Sequence, residues 1–173
     1  LPVVWIIGMG GLLFYALVSY LRLRKTVSAS MEIQRGVMAC DEVHSPFILG
    51  ILRPVIYVPS RMNDDDLRYV LAHEKAHLSR HDHWWKPLGY LLLSIYWFHP
   101  LCWVAYILLC RDIEMACDEK VIRDMDRAYV AGYSRTLLNC SSPGKIITAC
   151  PLAFGEVSTR KRVKSVLNYV HSV

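Results

Sequence analysis

Two histidines and a glutamate lie close together in the segment His73-Glu74-Lys75-Ala76-His77, which has the pattern HExxH. On a helix, residues four apart project from the same face, one turn from each other. The two imidazoles can therefore bind one zinc ion, with Zn–N distances of about 2.0–2.1 Å. Zinc lowers the pKa of bound water from about 15.7 to about 7, so the neighbouring Glu74 can take up its proton. The motif predicts metal-assisted hydrolysis with Glu74 as the general base.

A catalytic zinc site needs a third protein ligand, and the sequence contains three candidates. His81 lies about 12 Å from His73 along a continuous helix, which is too far to share an ion. His83 has the spacing of a known third-histidine pattern, but that pattern requires a glycine where this chain has Arg80. We favour Glu114, and His83 stays open as an alternative.

Glu114 belongs to an ExxxD pattern that ends at Asp118. On a helix the two carboxylates share a face, so Glu114 can bind zinc while Asp118 accepts the free ring N–H of a ligand histidine. Without an upstream HExxH, an ExxxD pair would be a solvated acidic face about as often as a functional site.

Candidate donors to the oxyanion of peptide hydrolysis are Tyr129, Tyr133 and His44.

The HExxH segment lies in a predicted helix that begins after Asn63. This residue can cap the helix, and the acidic residues 64–66 complement the helix dipole in the first turn. Apolar residues at helical spacing place Glu74 on the face that points to the core. A buried carboxylate is costly unless a cation compensates it, which again favours a metal site.

Short β-favouring runs with proline boundaries precede this helix between residues 31 and 58. They predict a small sheet of about three strands. We expect the strand at 55–58 to lie at the sheet edge, where an extended substrate can pair with it.

The composition is typical of a membrane protein, with 54% hydrophobic residues, 20% charged residues and a mean hydropathy of +0.26. Residues 1–21 carry no charge and are long enough to cross a hydrocarbon core of about 30 Å, so they predict a transmembrane helix; a buried core helix is the alternative.

The basic residues Arg22, Arg24 and Lys25 follow this span. The positive-inside tendency therefore predicts that residues 22–30 form a basic cytoplasmic linker. The net charge of +5 is then explained by membrane lipid, and no direct nucleic-acid contact is expected.

Residues 88–110 form a second apolar stretch, with Pro100 inside it. Proline disfavours a continuous helix, so we predict helices over 88–98 and 101–124. If the stretch crossed the bilayer, His77 and Glu114 would be about 30 Å apart and could not share an ion. The metal site therefore requires a membrane-associated hairpin that returns to the same side.

The predicted domains are a transmembrane helix over 1–21, a linker over 22–30 and a metallopeptidase domain over 31–140 that includes the hairpin at 88–110. Residues 141–173 are predicted to form a loop and a basic amphipathic helix. Because the first residue is Leu1 rather than Met, we expect the chain to be a piece of a longer, multi-pass protein.

Four segments resemble the BlaR/MecR family of bacterial membrane metallopeptidases, the signal transducers of β-lactam resistance. They are SPFILGILRPVIYVP (45–59), LRYVLAHEKAHLSRHD (67–82), WFHPLCWVAY (97–106) and RDIEMACDEKVI (111–122). The resemblance implies an α+β, gluzincin-type fold with a small edge sheet. It also implies that His73, His77 and Glu114 bind Zn²⁺, that Glu74 is the general base and that Asp118 supports a ligand histidine.

For function, the resemblance implies a protease domain that faces the cytoplasm at the bacterial cell membrane. In that family an external signal leads to self-cleavage and to removal of a transcriptional repressor. The 173 residues are too few for the penicillin-binding domain of the sensors, so antibiotic sensing is not implied. We predict a membrane-bound zinc metalloendopeptidase that cleaves a cytoplasmic regulatory protein or itself. The alternative is a catalytically silent signalling scaffold that retains its zinc site.

Overall fold

The computed structural model describes residues 2–123 and 125–140, together with Arg162 and Val166. The loop and the basic amphipathic helix predicted over 141–173 lie outside the described residues, apart from those two positions.

The described chain is a mixed α+β structure, mostly helical with one small sheet, which confirms the predicted class. In chain order its elements are α1 (Pro2–Thr26), a 3₁₀ turn (Val27–Ala29), β1 (Met31–Gln34), β2 (Val37–Cys40), β3 (Phe47–Leu49), β4 (Val55–Pro59), α2 (Asp64–Ser79), α3 (Asp82–Ile95), α4 (Pro100–Ile122) and α5 (Arg127–Cys140).

Helix α1 is long and apolar enough to cross a membrane, and few of its side chains are buried in the protein. It continues beyond the predicted 1–21 span to Thr26, so the basic residues expected in a linker lie on its last turns. The helix is joined to the hairpin by hydrogen bonds from Trp5 Nε1 to the Ile95 carbonyl (2.8 Å) and from Tyr90 to the Leu12 carbonyl (3.0 Å). Helix α1 and the hairpin therefore form one apolar unit.

The sheet has four strands in the order β1-β2-β4-β3. Strand β4 pairs in parallel with β2 and antiparallel with β3, so the prediction that 55–58 forms the edge is wrong. The physical reason is that the backbone of β4 pairs on both sides, while Ile56 and Val58 pack from one face into a core with Val70 of α2. The edges are β1 and β3.

Helix α2 begins as predicted, because the Asn63 side chain accepts a hydrogen bond from the Asp66 backbone N–H at 2.7 Å. It ends at Ser79, and the next turn contains His81 in the left-handed conformation with φ of 61°. This turn redirects the chain into α3. Glu74 lies on the buried face of α2, as its helical spacing predicts.

Helices α3 and α4 form the expected hairpin, with Pro100 as the first residue of α4. Proline is favoured there because the first helical turn does not use its backbone N–H. His77 Nε2 and Glu114 Oε1 are 3.6 Å apart, so the apolar stretch returns, as the metal-site argument required. The exposed apolar side chains of helices α3 and α4 and their connection include Trp84, Trp85, Leu88, Leu91, Leu92, Phe98, Leu101, Trp103, Val104, Ile107 and Leu108.

The cap of α2 has a measurable role in stability. We expect Asn63→Ala to lower the free energy of unfolding by about 1 kcal/mol, because the Asp66 N–H loses its acceptor. Asn63→Asp, which keeps an acceptor, should unfold like the wild-type protein. Denaturant unfolding of both variants in one detergent checks this, and equal stability of the alanine and aspartate variants would contradict it.

Candidate metal centre

Three side chains from two helices converge at one point. Potential ligand atoms of His73, His77 and Glu114 all lie within 4.8 Å of one another, and all three residues are buried. The two Nε2 atoms are 3.0 Å apart, and the Glu114 carboxylate is 3.5 Å from His73 Nε2. The structure thus brings together the residues singled out from the sequence, and their role as metal ligands stays a prediction.

Glu74 lines the same cavity and is only 6% exposed. Among the described residues, no hydrogen-bond partner reaches its Oε2 atom. Burial raises the pKa of Glu74, although the imidazoles of His73 and His77 oppose that shift. A buried carboxylate oxygen without a protein partner, beside two imidazoles and a second carboxylate, fits a site that holds a cation and water.

Two further side chains, Tyr133 and Asp118, form polar contacts that hold the His73 ring in place. The Tyr133 hydroxyl donates to Asp118 Oδ1 at 2.6 Å and lies 2.8 Å from His73 Nδ1, whose N–H can donate to it. Asp118 Oδ1 is itself 3.3 Å from His73 Nδ1. This arrangement leaves Nε2 unprotonated for a metal. Asp118 therefore lies against the imidazole of His73, a choice that the sequence analysis had left open, with Tyr133 as an unforeseen intermediary.

The oxyanion donors suggested by the sequence have other surroundings. Tyr133 already uses its hydroxyl hydrogen for Asp118. Tyr129 packs its ring edge-on against Tyr69, with centroids 4.8 Å apart, and His44 is exposed. Neither Tyr129 nor His44 is among the described residues that line the cavity.

His77 has a carboxylate partner that the sequence analysis missed. Its Nδ1 is 3.0 Å from Asp82 Oδ2, and the buried Cys117 thiol lies 3.1 Å from the same nitrogen. The left-handed residue His81 makes this contact possible, because the turn brings the start of α3 back towards α2. The available signal was an aspartate five residues after the motif, just beyond the end of its helix.

His77, Asp82 and Cys117 also form a second group of possible metal-binding side chains. Direct hydrogen bonds of 3.0–3.2 Å join its members and account for the group without an ion. His83 belongs to neither group among the described residues, so the structure gives no support to it as the third ligand.

Arg162 is the second residue that sequence reasoning missed. Its guanidinium is 4% exposed and binds both Asp118 oxygens, each at 2.8 Å, while Nη1 lies 3.2 Å from Glu114 Oε2. Burial alone would raise the pKa of Glu114, but His77 and Arg162 hold it well below its ordinary value. In sequence, Arg162 is one of several basic residues at 160–164, and nothing distinguishes it as the buried one.

The sequence of the chain also matches a known protein family. The chain matches the profile of the family described as BlaR1 peptidase M56 over residues 1–166. The chain belongs to the BlaR1 peptidase M56 family. This confirms the resemblance drawn from the four segments and points to a metallopeptidase.

Curated M56 relatives are distant in sequence. The chain is 27% identical to "Regulatory protein BlaR1" of Bacillus licheniformis over an alignment 194 positions long, and this alignment covers 96% of this chain and 32% of the relative. It is 23% identical over 161 residues to "Methicillin resistance mecR1 protein" of Staphylococcus aureus, which covers 80% of this chain and 28% of the relative. The chain thus spans about a third or less of the length of these relatives.

A first prediction concerns the third ligand. Glu114→Gln should lose most of its bound zinc, because the buried carboxylate that completes the cluster is replaced by a neutral amide. Glu119→Gln is the matched control, since it makes the same change at an exposed position of the same helix. Metal analysis of both purified variants checks this, and full zinc content in Glu114→Gln would exclude Glu114 as a ligand.

A second prediction concerns the carboxylate beside His77. Asp82→Asn should weaken zinc affinity by about 10- to 100-fold, because an amide stabilises the required imidazole tautomer less well. Competition with a chelator measures the affinity, and the exposed Asp112→Asn should behave like wild type. An unchanged affinity in Asp82→Asn would show that this contact does not position His77.

Proposed function

We propose that this protein is a membrane-bound zinc metalloendopeptidase of gluzincin type. The observation that carries the proposal is the convergence of His73, His77 and Glu114 around Glu74, although an apolar hairpin separates the two helices in sequence. Membership of a peptidase family supports hydrolysis of a peptide bond as the reaction.

Zinc is the metal that the donor set favours. Two neutral imidazole nitrogens and one carboxylate, with room for a further ligand, are typical of a catalytic zinc site, whereas structural zinc sites usually have four protein ligands. When bound, such an ion would lower the pKa of water and polarise the scissile carbonyl.

The polar residues of the site have separate roles in this proposed reaction. Glu74 accepts the proton of the attacking water and can return it to the leaving amine, as a general base that becomes a general acid. Asp82 and the Tyr133–Asp118 pair keep both imidazoles in the tautomer with Nε2 facing the cluster. Arg162 keeps Glu114 and Asp118 ionised by compensating their buried charge.

The substrate is a peptide or protein in extended form. Ser45 and Pro46 line the cavity together with the metal-binding residues, and they lead directly into the edge strand β3. A substrate chain that pairs with β3 would therefore run past the cluster, so we move the proposed pairing from β4 to β3.

We further propose that the site faces the cytoplasm of a bacterial cell, in a multi-pass protein. The basic residues at the end of α1 support this orientation through the positive-inside tendency. A regulatory substrate, such as a transcriptional repressor or the protein itself, is supported by the word "regulatory" in the name of one relative. The competing proposal is a silent scaffold, which would need the zinc site but not Glu74.

The two proposals differ in one variant. Glu74→Gln should retain zinc but lose at least about 100-fold in cleavage rate, because general-base catalysis contributes on the order of 10²–10⁴-fold. Zinc content and mass spectrometry of peptide fragments measure the two properties, and the exposed Glu42→Gln serves as control. If Glu74→Gln keeps its zinc and still transmits the signal in cells without any cleavage, the scaffold is correct.

A further inference from the structure

A second cavity lies between the end of α1 and the turn that joins β3 to β4. It has a volume of about 640 Å³ and is open to the outside. The residues that line it are Tyr20, Arg24, Leu49, Gly50, Ile51, Leu52, Arg53, Val55 and Tyr57. None of the residues identified in the metal centre belongs to this lining.

The described side chains that line this cavity carry a net positive charge. Arg24 and Arg53 are its two charged residues, and no acidic residue is among the described residues that line it. Both arginines are exposed. The cavity is therefore electrostatically suited to an anion that two guanidinium groups can bind.

The β3–β4 turn has a specific geometry that positions Arg53. Gly50 has φ of 108°, a conformation that residues with a side chain rarely adopt. A Cβ at this position would also come within 2.5 Å of the Arg53 carbonyl oxygen. The turn is thus folded tightly against itself, and Arg53 of this turn lines the cavity together with Arg24 of α1.

Apart from Tyr20 and Tyr57, the remaining side chains of the cavity wall are aliphatic, and the wall adjoins the helix that is long enough to span a membrane. Tyr20 and Arg24 are one turn apart near the end of this helix, where a tyrosine and a basic residue are typical of the membrane interface. Leu52, next to Arg53, is 83% exposed. Leu52 therefore adds an exposed apolar side chain beside the cation at the cavity.

We propose that this cavity binds the headgroup of an anionic phospholipid, with the phosphate between Arg24 and Arg53 and the acyl chains along α1. The cavity offers both features of such a ligand, because its two cations suit the phosphate and its aliphatic wall suits the glycerol and upper acyl region. The proposal goes beyond peptide hydrolysis and depends only on insertion of α1 into the membrane. It can therefore stand if the proposed enzyme activity fails.

Lipid retention tests the site. The protein is reconstituted into nanodiscs that contain phosphatidylcholine and phosphatidylglycerol, and lipids that remain after transfer to a neutral detergent are identified by native mass spectrometry. Wild type should retain phosphatidylglycerol selectively. The double variant Arg24→Gln/Arg53→Gln should lower that selectivity about 30-fold, since each basic residue near an anionic surface contributes a factor of about five.

The matched control is Arg22→Gln/Arg35→Gln, which removes the same charge from exposed positions outside the cavity lining. It should retain phosphatidylglycerol like wild type, and Arg24→Lys/Arg53→Lys should retain most of it. Circular dichroism verifies that each variant is folded. Equal losses in the cavity and control variants would overturn the proposal in favour of general surface charge. Full displacement of the lipid by soluble glycerol phosphate would overturn it in favour of a free-anion site.

Discussion

Buried charge is the constraint on which the rest of this structure depends. Glu74, Glu114, Asp118 and Asp82 are all at most 6% exposed. A carboxylate in such surroundings requires cations and hydrogen bonds, because its lost hydration costs several kcal/mol. The chain provides Arg162 and two imidazoles, and the proposed zinc ion would supply the remaining positive charge. The same closely spaced buried charges that lower the stability of the fold also shift the pKa values of the site residues, as is typical of functional sites.

Helix α4 joins this charged centre to the proposed membrane surface. Its first half carries exposed apolar residues such as Leu101, Val104 and Ile107, and its second half carries Glu114 and Asp118 on a buried face. A change from one environment to the other within a single helix places the cluster next to the apolar unit formed by α1 and the hairpin. In the proposed enzyme, a substrate that reaches the cluster would be held close to the bilayer.

Much of this arrangement was predictable from local sequence. HExxH specified two candidate ligand positions, Asn63 specified the helix start, and Pro100 specified where the hairpin turns. These features depend on spacing and backbone chemistry within one or two turns of a helix. The return of the hairpin was predictable for another reason, since two proposed ligands of one ion cannot have a bilayer between them, and the structure places His77 and Glu114 together.

The features that escaped prediction depend on contacts between distant segments. Whether β4 lies inside or at the edge of the sheet is decided by its pairing with β2 and β3, and proline boundaries alone suggested the wrong position. Arg162 is 44 residues from Asp118 along the chain, and its neighbours have the same charge, so composition could not identify it. Asp82 was closer, but its role depends on the left-handed turn at His81.

The two imidazoles are held through different parts of the fold. His73 depends on Tyr133 of α5 and on Asp118 of α4, which Arg162 holds in turn. His77 depends on Asp82 at the start of α3, the helix that packs against α1. A displacement of α1 that moved α3 would therefore act on the contact between Asp82 and His77, whereas the partners of His73 lie on α4 and α5. In the proposed zinc enzyme, metal affinity and the position of the attacking water would depend on both rings, so a small movement of one ring relative to the other would change the reactivity of the site.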